Sequence, residues 1–250
     1  MIIGLIQARM GSSRLPGKVL REINGKPILQ LLIERLSPST LVDEFIIVTT
    51  ELPEDDAIEN WCKKSGVKCF RGSDWDVLDR FYSAVSEMDH LTSIVRICSD
   101  NPLHSYKVVD FVVNEYLKSK KTYFSNSNQE PDYLEDGFDV EVFSFSSLED
   151  AWKNAKLLSE REHVCPYIKK HNPCGWKKAH PAYHFKLSVD TQADLNAVEQ
   201  IYTELKGQPD FSIEEVVALL QAKPEILDIN KESEINSGFQ KSLKEDRIVK

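Results

Sequence analysis

The first twenty residues constrain this chain more than any other stretch. Met1-Ile2-Ile3-Gly4-Leu5-Ile6 is a short apolar run rich in isoleucine, and it predicts a buried strand. The pattern stops in Gln7-Ala8-Arg9-Met10-Gly11-Ser12-Ser13-Arg14-Leu15-Pro16-Gly17-Lys18, where glycine, serine and proline let the backbone bend around a ligand. Arg9, Arg14 and Lys18 put three cations and no acid into this one loop. A strand that feeds such a loop suits a polyphosphate, because backbone N–H groups and cationic side chains converge on its oxygens. The loop also leaves the carboxyl end of a strand, where open α/β sheets bind ligands. The plainer alternative is a surface loop that carries three cations without function.

Two familiar phosphate loops do not fit. A P-loop has Gly-x4-Gly-Lys-Ser/Thr, but Val19 follows Lys18 and no glycine stands where the first one is needed. Gly11 and Gly17 lie six apart, so the dinucleotide pattern Gly-x-Gly-x-x-Gly is absent. The net charge of −9 argues against a nucleic-acid surface and against an anionic membrane partner. A basic loop on an acidic protein therefore points to a small anionic ligand. Five cysteines without a C-x-x-C pair imply reduced thiols in a cytoplasmic protein. No leader-like segment is visible, and no run approaches the ~20 apolar residues that span a bilayer.

The rest of the chain alternates strand and helix. A helix is expected from Ile28, and strands at 44–50, 67–70, 93–98 and 122–125. This rhythm predicts an α/β fold with a mostly parallel central sheet covered on both faces. We expect a single domain over 1–230, with a small excursion over about 126–180, and a charged appended tail over 231–250. The polar stretch 126–137 reads as an acceptor-binding or lid loop.

Several polar residues stand where chemistry would need them. Arg71-Gly72-Ser73-Asp74-Trp75-Asp76-Val77-Leu78-Asp79-Arg80 enters a helix; Ser73 or Asp74 is the expected cap, and Arg71 and Arg80 are candidate nucleotide contacts. Asp100 follows the strand Ser93–Cys98 directly; it either caps the next helix or offers a carboxylate to a hard cation beside phosphate. Asp139 and Glu141 share one face of an alternating run, read either as the outer face of an edge strand or as acceptors for sugar hydroxyls. His163 is a candidate base or a structural histidine, and Arg161 a candidate partner for an acceptor carboxylate. Asp190 lies between an expected strand, 185–190, and a helix whose capping box is Thr191 with Asp194, so it is not needed as the cap.

The run Gln7 to Leu20 resembles the opening signature of the sugar-activating cytidylyltransferases, the group of the 3-deoxy-manno-octulosonate and acylneuraminate enzymes. Segments 71–82 and 137–168 are most similar to the spore-coat polysaccharide branch of that family. Ser99-Asp100-Asn101-Pro102 looks like the family's Gly-Asp-x-Pro metal motif, and Val189-Asp190-Thr191 with Asp194-Leu195 like its Val-Asp-Thr-x-x-Asp-Leu motif. The resemblance implies a Rossmann-like, GT-A-like nucleotidyltransferase fold. It also implies an enzyme that transfers CMP from CTP to a sugar or sugar-acid hydroxyl and releases pyrophosphate, for cell-surface polysaccharide synthesis. On this reading the nucleotide would lie against Ala8, Arg9, Gly11, Ser12, Arg14 and Lys18, with Arg71 and Arg80 adding contacts. Asp100 and Asp190 would share Mg²⁺, Arg9 and Lys18 would join them in catalysis, and Asp139, Glu141, Arg161 and His163 would meet the acceptor. A homodimer is implied as well. Two other readings stay open: a glycosyltransferase that consumes a nucleotide sugar, and a non-catalytic nucleotide-binding member of the family.

Overall fold

Strand β1 (Ile2–Gln7) lies in the middle of a seven-stranded sheet, and its sequence explains why. Ile2 and Ile6 face one buried apolar layer, Ile3 and Leu5 the other. A strand apolar on both sides needs helices over both faces. The computed structural model describes residues 1–127, 136–179, 185–205, 210–235 and 237–249.

After β1 come a short hairpin of β2 (Glu22–Ile23) and β3 (Lys26–Pro27), helix α1 (Ile28–Leu36) and strand β4 (Glu44–Thr50). Then follow α2 (Asp56–Ser65), β5 (Lys68–Gly72), α3 (Val77–Val85), β6 (Ser93–Cys98), α4 (Tyr106–Ser119) and β7 (Tyr123–Ser125). The second half holds β8 (Glu141–Ser144), α5 (Phe145–Asn154), α6 (Leu158–His163), α7 (Cys165–His171) and β9 (Cys174–Trp176). It closes with α8 (Gln192–Glu204), α9 (Ile213–Ala222), α10 (Glu225–Asp228) and α11 (Ser237–Lys244). The strands lie in the order β5-β4-β1-β6-β8-β7-β9. The first four are parallel, β8 is antiparallel to both neighbours, and β9 runs parallel to β7. Helices α1, α2, α4, α8 and α9 pack on one face, and α3, α5 and α7 on the other. The expected α/β architecture with a mostly parallel sheet is what the chain forms.

The path of the chain fixes where a ligand can enter. From β1 it runs outward through β4 to β5, then crosses back to pair β6 with the free side of β1. Strand order therefore reverses between β1 and β6. The loops leaving these two strands diverge there and open a crevice at the carboxyl edge of the sheet.

Four expectations need correction. Strand β8 is not at an edge, since β6 and β7 flank it, so Glu141 lies buried at the floor of a cavity and not on an outer face. Residues 185–190 form no strand and bend at Ser188: Leu187 and Ser188 donate to the Asp136 carboxylate and Val189 to the Asp100 carbonyl. The cap of α3 is Asp76, which accepts from the Asp79 N–H at 2.9 Å, while Ser73 supports Asp76 from behind. Of the stretch 231–250, the described residues 237–249 do not trail away. Leu158 donates to the Arg247 carbonyl, Val249 to that of Lys156, and Ser159 donates twice to Asp246. Of the expected lid loop, residues 128–135 lie outside the described residues.

The layer over α3 is tied by a buried ion pair. Arg161, 1% exposed, donates to Asp76 at 2.8 and 2.5 Å and to the Trp152 carbonyl at 2.8 Å. Removing one partner of such a pair leaves an uncompensated buried charge. Arg161→Ala should therefore lower unfolding free energy by about 3–5 kcal/mol, measured by urea denaturation. A loss below roughly 1 kcal/mol would mean that the pair is not held out of water as described.

Candidate active site

The loop after β1 is folded tightly on itself. Its start is clamped by buried Asp55, whose carboxylate accepts from the Met10 N–H at 2.6 Å and from the Thr50 hydroxyl. The Ser12 and Gly17 N–H groups both turn onto the Met10 carbonyl, at 2.8 and 2.9 Å. Gly17 has φ 69°, a conformation that costs a residue with a side chain about 1–2 kcal/mol, and this turn aims Lys18 inward. Ala8 is buried and its N–H is spent on the Val48 carbonyl, whereas Arg9 and Gly11 are exposed at the rim and Ser12 is half-buried.

Lys18 brings three distant segments together. Its ammonium donates to Asp100 Oδ2 at 2.8 Å, to Asp190 Oδ1 at 3.0 Å and to the Val189 carbonyl at 3.0 Å. Arg14 pairs with Asp190 Oδ1 at 2.9 Å, and Lys186 reaches Asp190 Oδ2 at 3.0 Å. Burial by itself would lower the Lys18 pKa, but Asp100 and Asp190 outweigh it and hold the ammonium above the ordinary lysine value. Burial would likewise raise Asp190, yet Lys18 and Lys186 bring it down to about 2. Asp190 is therefore ionised at neutral pH, and it converges with Asp100 on the Lys18 ammonium. Asp100 and Asp190 are the pair here able to share a divalent cation, with phosphate and water oxygens as further ligands. Among the described residues no group of three or more His, Cys, Asp or Glu side chains could hold a metal alone.

Beside this cluster lies a cavity of about 570 Å³ that reaches from Arg14, Asp100 and Asp190 to His163 and Lys169. Its floor is a charged network that sequence reading found only in part. Glu141 accepts from Arg96, from the Tyr123 hydroxyl at 2.7 Å and from Lys169 at 2.7 Å. Arg96 and Glu141 are direct cross-strand partners on β6 and β8. Burial opposes the Glu141 charge, but Lys169 and Arg96 hold its carboxyl below the usual range. Asp139 accepts from Asn101 at 3.1 Å, and burial, then Asp136 and Glu141, push its pKa up to about 7. Burial, then Arg96, lowers His163 to about 4, so the ring is neutral at pH 7.

The candidates of the sequence thus divide. Arg14, Lys18, Asp100 and Asp190 meet at one point, and Asp139, Glu141 and His163 line the adjoining cavity. Three arginines are spent elsewhere. Arg71 pairs with Asp56 and Glu59 and caps the carbonyls of Thr50 and Leu52. Arg80 is buried and donates to the Ser73 carbonyl at 2.9 and 2.6 Å; burial, then Arg9, lowers its pKa to about 10. Arg161 is locked to Asp76 and cannot reach an acceptor. The cations that do line the cavity and were missed are Arg96 and Lys169. One signal was legible: Arg96 interrupts an otherwise apolar buried strand, and a charge there needs a partner.

An uncharacterized protein of Methanocaldococcus jannaschii is 42% identical over 92% of this chain and 94% of its own length. The spore coat polysaccharide biosynthesis protein SpsF of Bacillus subtilis is 31% identical over 90% of this chain and 95% of its own. A solved cytidylyltransferase from Leptospira borgpetersenii superposes with a TM-score of 0.84 at 30% identity, covering 90% of this chain and 96% of that one. The family model described as cytidylyltransferase matches residues 3–234, and this chain belongs to that family.

Proposed function

We propose that the protein transfers a cytidylyl group from CTP to a hydroxyl of a sugar acid, for cell-surface polysaccharide synthesis. The observation that carries this reading is the convergence of Lys18, Arg14, Asp100 and Asp190 at the switch point of the sheet, in a member of the cytidylyltransferase family. In the reaction an acceptor oxygen bonds to the α-phosphorus while the bond to the pyrophosphate oxygen breaks. Little covalent work falls to the protein, which must position the reactants and stabilise charge. Arg9, Arg14 and Lys18 hold the departing phosphates, Lys18 once its ammonium has moved off the Asp100 and Asp190 carboxylates. Asp100 and Asp190 fit Mg²⁺, because the two carboxylates already face one cation there. When bound, the ion supplies charge neutralisation at the phosphates.

The acceptor reading rests on charge. Around Glu141 stand two cations, Arg96 and Lys169, for one carboxylate. Asp139, pushed up to about 7 by burial, offsets this excess only in part near neutral pH. A carboxylate on the acceptor suits this end of the cavity. Glu141 itself is fully engaged, which leaves it poorly placed to bind the hydroxyls of a neutral sugar.

The first test is nucleotide choice. With Mg²⁺ present, CTP at ~100 times its Kd should stabilise the fold by about 2.7 kcal/mol, and ATP, GTP and UTP by less. Equal thermal shifts from all four would contradict cytidylyl transfer. The second is the charge cluster: Lys18→Ala should lower the rate of pyrophosphate release by roughly 10²–10³-fold, the effect of one lost contact to developing charge. A wild-type rate would return the loop to an ordinary surface role.

A further inference from the structure

The C-terminal segment ends up in the site. From Lys231 onward the chain is highly charged, yet α11 lies against α6 and its inner face forms one side of the cavity. The attachment is specific. Ser242 donates to Glu162 at 2.7 Å, and Phe239 meets the His163 ring edge-on with centroids 4.9 Å apart. Beyond the helix, Arg247 and Val249 pair through their backbones with Leu158 and Lys156. These bonds fix which residues face inward. Phe239 and Leu243, four apart on the helix, present one face to the cavity, and Ile235 lies just before it.

That placement changes the chemistry of the cavity. The rest of its lining is dominated by charge, with Arg96, Lys169, Glu141 and Asp139 on the floor. Among the described lining residues, the large apolar side chains all come from this segment: Ile235, Phe239 and Leu243. Leu243 is 45% exposed although it points into a concave site. An apolar side chain in that position gains by being covered, and nothing from the described chain covers it. His163, which Phe239 braces, has an Nε2 without a hydrogen-bond partner.

We infer that α11 is a wall of the acceptor pocket, and that Phe239 and Leu243 select an acceptor bearing a small apolar group, a deoxy carbon or an N-acyl methyl. The inference rests on the sugar-acceptor reading above and adds to it which element of the chain sets specificity. A two-sided pocket of this kind recognises a two-sided ligand: polar groups meet the charged floor while the apolar group meets α11. One methyl-sized group in an apolar pocket is worth roughly 10–200-fold in discrimination.

The test uses pairs of sugar acids that differ at one apolar group: N-acetylneuraminate against N-glycolylneuraminate, and a 3-deoxy-2-ulosonate against its 3-hydroxy counterpart. Affinities are read from thermal-shift titrations of the full-length protein, with and without CTP and Mg²⁺. The apolar member of at least one pair should bind roughly 10-fold or more tightly. Phe239→Ala and Leu243→Ser should each erase that preference while the CTP shift stays, and Phe239→Leu, which keeps an apolar side chain, should retain much of it. Absence of discrimination in every pair, or discrimination that survives both Phe239→Ala and Leu243→Ser, overturns the inference. Discrimination without any CTP shift keeps the α11 wall and strikes the nucleotide reading instead.

Discussion

One ammonium group, that of Lys18, joins parts of the chain 82 and 172 residues apart by bonding Asp100 and Asp190 together. Two carboxylates at such close range repel one another unless a cation stands between them. Lys18 stands there, reinforced by Arg14 and Lys186 on Asp190. The geometry depends on the sheet. Only because β6 pairs with the free side of β1 do the loops after these strands open toward each other. Val189 then closes the third side by donating to the Asp100 carbonyl at 2.8 Å.

The same principle organises the second half of the chain. Its buried or half-buried charges are answered by partners on other elements: Arg161 by Asp76, Glu141 by Arg96 and Lys169. Such pairs add little net stability, since desolvation consumes most of the attraction, but they are costly to break and so define one arrangement of the elements. Asp76 illustrates the economy. One carboxylate oxygen caps α3 and the other receives Arg161 from α6.

Much of this was legible in the sequence because it depends on local pattern. The apolar runs gave the strands, their spacing gave the parallel sheet, and the Thr191–Asp194 capping box stands as read, with Asp190 released for the site. The cationic loop and the two carboxylates were found by residue type and position, and the structure brings four of them together. What stayed hidden depends on register and on long-range packing. Arg96 faces Glu141 only because β8 inserts between β6 and β7, which no spacing in the sequence reveals. Arg71 and Arg80 as nucleotide contacts and Arg161 as an acceptor contact follow from residue type alone, because an arginine that meets a ligand and an arginine that holds a loop shut have the same sequence appearance. The charged C-terminal stretch read as a tail because its few apolar residues, among them Phe239 and Leu243, reveal their use only when placed on one helix face against α6.

The central claim is that Asp100 and Asp190 form a single cation site that Lys18 holds ready and yields when nucleotide arrives. Anomalous diffraction from crystals grown with CTP and Mn²⁺ tests it most directly. The account predicts one strong manganese peak shared by the Asp100 and Asp190 carboxylates, with the Lys18 ammonium moved onto phosphate oxygens. A peak away from both carboxylates, with Lys18 still bonded to them, would contradict it.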